Sequence, residues 1–249
     1  MKILCKNLET GLSETVETGG ELVVARDANM IFVASAAEDC KIILQEGARL
    51  TFVLFAIEGW ESGIDAAGAP VVPKIRFEFV GRNSELQCVG LIVGTGNAKF
   101  AFETISRHVT TNTKASYRIR AAMFDRSFVD YKGNLIITKP AQMTDTYLSH
   151  DTLLLSDFAR ARTVPALEIE ADDVKAGHAA TIGKVDDELM FYLLSRGIEP
   201  KEAEQMLINS FFESQLALIP DEEIREGLRK SILKALPLPN FTNVEKIYD

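Results

Sequence analysis

Residues 145–187, DTYLSHDTLLLSDFARARTVPALEIEADDVKAGHAATIGKVDD, divide the chain between two architectures. Upstream of them, short apolar runs follow one another. Downstream, apolar residues recur at helical spacing. Within the stretch, Leu167-Glu168-Ile169-Glu170 alternates apolar and charged side chains, the pattern of a half-buried strand. Asp172 and Asp173 break that strand with turn chemistry, because short carboxylates bond nearby backbone N–H groups. Val174 resumes extended structure, and His178 follows beside a small, flexible turn. Two of the three histidines, His150 and His178, fall in this segment. The surroundings of His178 suit an accessible ligand better than a core residue.

Moving back, the runs ELVVA (21–25), MIFVAS (30–35), KIILQ (41–45) and RLTFVLF (49–55) read as strands. So do KIRFEFV (74–80), SELQCVGLIV (84–93), AKFAFETI (98–105), ASYRIRAAMF (115–124), SFVDYKG (127–133) and NLIITKP (134–140). Their separators are alike: small or polar corners at 45–48, 81–84, 94–98 and 125–127. No helical spacing occurs between Glu21 and Pro140. Such regularity fits a coil of short strands, a sandwich or a barrel. The repeated corner chemistry and the lack of Asn-Gly or Asp-Gly hairpin pairs favour the coil. Residues 1–20 form a polar N-terminal segment, either a lead-in or a loose cap. Gly59 to Pro73 reads as a protruding loop, in which Trp60 packs on the loop's own stem.

Moving forward, Asp186 caps a helix whose stripe is Leu189, Tyr192 and Leu193, and Arg196-Gly197 stops it. Pro200 opens a second helix with the stripe Ala203, Met206, Leu207 and Phe211. A third follows Pro220, with Ile224, Leu228, Ile232 and Ala235 on one face.

Bulk properties narrow the function. With 47% hydrophobic residues in 249, a sizeable core can be buried. A net charge of −9 argues against a nucleic-acid partner, whose phosphates demand clustered cations. The first twenty residues lack a signal-peptide core, and the longest apolar run, Phe52 to Ile57, is too short to cross a membrane. The expected location is therefore cytoplasmic. Cys5, Cys40 and Cys88 are too few and too far apart for a disulfide framework, and no CxxC pair exists. Cys88 shares a strand face with Leu86 and reads as core. No phosphate-binding GxxxxGK[ST], GxSxG or HExxH motif occurs. Adjacent Asp172 and Asp173 would face opposite ways in a strand, so a paired acid and base for glycan cleavage is not evident. Histidine remains, as a neutral nitrogen ligand for iron or zinc. His108, in SRHVTTNT, reads as structural.

Residues 133–198 closely resemble the SufB/SufD family of iron–sulfur cluster assembly proteins. The shared elements are PAQMTDTY (140–147), LLLSD (153–157), PALEI (165–169), ADDVK (171–175), HAATIG (178–183) and FYLLSRGI (191–198). The similarity continues more weakly through Arg107-His108 and Asp125-Arg126-Ser127. The resemblance implies a mainly β fold, a right-handed parallel β-helix over 21–185, followed by a helical region over 186–249 that docks a SufC-type ABC ATPase. It implies pairing through the β-helix with a second SufB/SufD-type subunit, here expected to be a homodimer, and sulfur supplied by a cysteine desulfurase. The chain itself is then a non-catalytic scaffold, with ATP hydrolysis in the partner. Larger members have a long N-terminal helical region without a counterpart here, so a compact version is expected.

By position, His178 matches the family's candidate cluster ligand at the subunit junction. His150 falls where SufB-like members carry a functional cysteine. His150 and His178 are thus the expected ligands for iron or a transient iron–sulfur cluster. Two departures stand beside them. Ala176 replaces the cysteine usual in SufD-like members, and Ala179 replaces the glutamate of SufB-like ones. A histidine at position 150 lacks the thiolate that accepts persulfide sulfur. The alternative is a SufD-like adaptor that recruits the ATPase and binds no cluster.

Overall fold

The computed structural model describes residues 2–17, 20–57, 59–60 and 72–237. Fourteen strands precede three helices among them. They are β1 Lys2–Asn7, β2 Ser13–Glu17, β3 Glu21–Val24, β4 Asn29–Ala34, β5 Cys40–Leu44, β6 Arg49–Ala56 and β7 Lys74–Phe79. There follow β8 Glu85–Gly94, β9 Lys99–His108, β10 Lys114–Met123, β11 Phe128–Ile137, β12 Thr144–Leu154, β13 Arg160–Ile169 and β14 Val174–Gly183.

From β3 onward the chain alternates between two sheets. Odd strands stack as β13-β11-β9-β7-β5-β3 and even strands as β14-β12-β10-β8-β6-β4. Each strand pairs in parallel with the next but one, as β10 does with β8 and β12. The result is a parallel β-solenoid, and the sandwich and barrel are excluded. At the N-terminal end, β1 and β2 form an antiparallel hairpin that extends the even sheet beyond β4.

The corners explain why this sequence coils. Asp27, Gly47, Asn83, Asn112 and Met143 all have positive φ, and each sits in the turn from an odd strand to the next even one. One left-handed residue per turn redirects the chain in the same way each time. The turns then bond to one another: Asp27 N–H to Glu46 O, Gly47 N–H to Arg82 O, and Asn112 N–H to Gln142 O. At Gly47 a Cβ would lie 2.0 Å from Asp27 Oδ1, so a larger residue would have to push that carboxylate aside. Asn112 Nδ2 donates to Asn83 Oδ1, stacking two corner amides.

Aromatic side chains meet both along a sheet and between the two sheets. Inside, Phe77 meets Phe52 at 5.3 Å and Tyr117 at 5.8 Å, and Phe102 meets Tyr131 at 4.8 Å. Each fully buried ring of this kind contributes roughly 1.5–3 kcal/mol. Cys88 belongs to this core, as its strand face indicated. Trp60 packs edge-on against Phe100 and Phe102, and its Nε1–H donates to Ala101 O. It therefore packs within the chain, on β9 beside its own β7 stem. Most of the expected loop at 59–73 lies outside the described residues.

The helices are α1 Asp187–Ser195, α2 Pro200–Leu216 and α3 Glu222–Ala235. Asp186 caps α1 through the N–H groups of Glu188 and Leu189, and Pro200 opens α2. The buried stripe of α2 is Ala203, Ile208, Phe212 and Leu216, not the row through Met206, Leu207 and Phe211. The reason is tertiary. Val89, Leu91, Val93 and Ala122 on the outer face of the even sheet draw in Phe212, and Phe211 is left partly covered over Arg120. Arg120 donates to Phe211 O and Ser214 Oγ, and Lys6 of β1 pairs with Asp221 at 2.6 Å. These contacts fix α2 and α3 to the solenoid. In contrast, α1 buries no residue.

Candidate functional site

Inward rows of the even sheet run in register from β12 to β14. Thr144, Thr146, Leu148, His150 and Thr152 of β12 align with Val174, Ala176, His178, Ala180 and Ile182 of β14. The β12 row is buried throughout, whereas His178, Ala180 and Ile182 are exposed. Among the described residues no strand stacks beyond β14 or β13, so their inward rows form the open end of the solenoid.

The two histidines therefore lie on neighbouring strands, one inward step apart, with Cα atoms about 8 Å from each other. They differ in everything else. His150 is 0% exposed. Its Nδ1 meets Thr163 Oγ1 of β13, and the Tyr131 ring stands edge-on at 5.0 Å. Its Nε2 has no partner. Burial pushes its pKa down to about 4, so the ring is neutral at physiological pH with one nitrogen uncommitted. A neutral imidazole is the ligand form, but this one is reached only from inside the coil. His178 is open to solvent at the terminal rung.

Beneath His150 the interior is more polar than a plain β core. Tyr131 and Thr104 share a 2.6 Å hydroxyl bond, and the Tyr117 hydroxyl is buried beside Ser106. His108 is structural, as its sequence suggested. It is buried, bonded to Ser106 and Thr113, stacked on Phe79, and pushed down to about 3 by desolvation.

Cysteine chemistry is closed off. Cys5, Cys40 and Cys88 are free but buried. Burial raises Cys5 and Cys40 to about 11 and Cys88 further, so none is a thiolate near neutral pH. Ala176 sits on the inward row two places before His178 and supplies no sulfur. Among the described residues, no group of three or more His, Cys, Asp or Glu side chains could hold a metal ion. His178 is not part of any such group.

The family model for the SUF system FeS cluster assembly SufBD core domain matches residues 21–211. The chain belongs to the SufBD family. It is 32% identical over 170 residues to the iron–sulfur cluster assembly protein SufD of Escherichia coli (strain K12), covering 68% of this chain and 40% of that protein. It is 42% identical over 227 residues to a SufBD family protein of Mycobacterium leprae (strain TN), covering 79% of this chain and 57% of the relative. A Mycobacterium tuberculosis (strain H37Rv) member is 28% identical over 260 residues, covering 93% of this chain and 64% of its own length. The SufBD chain described here thus spans between two-fifths and two-thirds of these relatives.

Sequence reasoning missed the interior hydroxyls of Tyr117 and Tyr131 and the outward Arg118. All three sit in strands whose alternation marks a side but not a partner. The paired cations in Tyr117-Arg118-Ile119-Arg120 were the one available signal.

Proposed function

We propose that this SufBD chain is a non-catalytic scaffold of SUF-type iron–sulfur cluster assembly, with the cluster as cargo at the open end of the solenoid. The observation that carries this reading is the terminal rung. There an exposed His178 stands on an inward row that no further strand among the described residues covers. A second copy stacked on β13 and β14 would cover Ile169 and Ile182, now 44% and 45% exposed, and bring a second His178 to the same seam. That geometry supports homodimer pairing through the β-helix rather than through the helices. His150 stands behind the seam as a ligand or proton site reached from within.

The SufC-type ATPase takes the other surface. Along α1, Leu189 (51%), Phe191 (73%) and Tyr192 (53%) are exposed, and a helix with an apolar face and no covering layer is a docking element. A cysteine desulfurase would supply the sulfur. Three unpaired cysteines agree with a reducing cytoplasm, and no helix among the described residues is long and apolar enough to cross a membrane.

Anaerobic incubation with iron and sulfide, read by visible absorption and iron content, tests the ligand role. The expected result is loss of most bound cluster in His178→Ala. Equal spectra for wild type and variant would end the claim. A second reading, a SufD-like adaptor without a cluster, is favoured by Ala176 and the buried thiols. Co-purification with the ATPase but without iron would select it.

A further inference from the structure

Away from the terminal rung, the outer face of the even sheet carries a groove of about 560 Å3. It begins where helix cover ends, with Leu8 and Pro220 on one side. Its floor is a register row: Thr51, Gln87, Ser116 and Tyr147 stand side by side on β6, β8, β10 and β12. One outward step further along β10 is Arg118.

Arg118 is held in place but not neutralised. Its guanidinium lies 4.8 Å over the Tyr147 ring and donates to Ser149 Oγ at 3.3 Å. Tyr147 in turn rests on Gly177, where an added Cβ would come within 3.2 Å of the ring. Among the described residues, every other half-buried arginine meets a carboxylate: Arg76 meets Asp39, Arg120 meets Asp151, Arg225 meets Glu222 and Arg229 meets Glu213. Arg118 meets none. The groove's remaining charges are Arg49, Lys114, Glu85 and Asp145. Glu85 is engaged by Lys114 at 3.3 Å, and Asp145 lies two outward steps from the Arg118 row, about 13 Å along the strands. The lining thus holds three cations and two carboxylates, on a chain whose net charge is −9.

A partly desolvated guanidinium without a counter-ion, oriented by an aromatic ring and facing a groove of ligand size, is built for planar oxygen pairs. We propose that this groove binds a small organic anion. Arg118 grips its carboxylate or phosphate group, and Gln87, Ser116 and Tyr147 bond the rest.

Ligand-observed NMR titration of the full chain with phenyl phosphate and with benzoate tests this. Saturable binding of at least one probe is expected. Its affinity falls at least tenfold in Arg118→Gln and also in Arg118→Lys, because an ammonium lacks the fork, while Arg76→Gln binds as wild type. Which probe binds tighter tells phosphate from carboxylate. If Arg118→Gln does not fold, Gln87→Leu carries the test with an expected severalfold loss. Absence of saturation with both probes, or equal affinity in wild type and the position-118 or position-87 variants, overturns the proposal.

Discussion

His150 and His178 occupy the same kind of position, an inward-facing place on an even strand, and meet opposite fates. In β12 the row is covered by β14 and the ring is sealed at 0% exposure. In β14 no further strand among the described residues covers the row, and the ring stands in solvent. The difference teaches that a solenoid seals its interior rungs and leaves its last one accessible. Each interior rung buries its inward row against two neighbours, whereas the last rung presents a prepared half-core.

The largest effect that tests this contrast is on stability. Phe77→Ala, removing a fully buried ring that touches Phe52 and Tyr117, should cost about 3–5 kcal/mol in urea unfolding. Ile182→Ala in the terminal rung should cost the monomer less than about 1 kcal/mol. Similar losses at both places would mean that the end rung is as well packed as the middle.

A pH titration tests the sealing of His150 directly. The unfolded chain binds a proton at position 150 near pH 6.5, but the fold does so only near 4. Stability is therefore complete above about 6.5 and is lost as the pH falls toward 4, by about 3 kcal/mol for this group. His150→Gln should remove that part of the acid sensitivity, while the share from His108 stays in both proteins. An unaltered acid slope in His150→Gln would contradict the sealed interior.

At the corners, Gly47→Ala forces a Cβ against Asp27 at a φ of +67° and should cost about 1–3 kcal/mol. Gly96→Ala, at φ +59° with open space around it, should cost about 1–2 kcal/mol from the backbone alone. The gap between the two measures the stacking of one turn on the next. Smallest of all, Phe191→Ala on the bare face of α1 should change unfolding by less than about 0.5 kcal/mol. It should nevertheless abolish co-purification with an ATPase partner. Retained co-purification would move the docking surface elsewhere.

The sequence by itself determined most of the solenoid strands, their corners and the helices, but not the β1–β2 hairpin within residues 1–20 or the continuity of β11. Period-two alternation needs only one chain segment, and a cap such as Asp186 acts on its own first turn. It also carried the family signature around HAATIG and FYLLSRGI, with His178 in it. It did not determine which alternating rows would be sealed. Burial depends on whether another rung stacks on top, and that partner lies about thirty residues away, as Leu148 lies from His178. Nor could it show that Phe212 rather than Phe211 would face the sheet, that Arg118 would be left without a carboxylate, or that His150 would turn inward toward Thr163. Those outcomes belong to tertiary structure, because the neighbours that desolvate a side chain come from other turns of the coil.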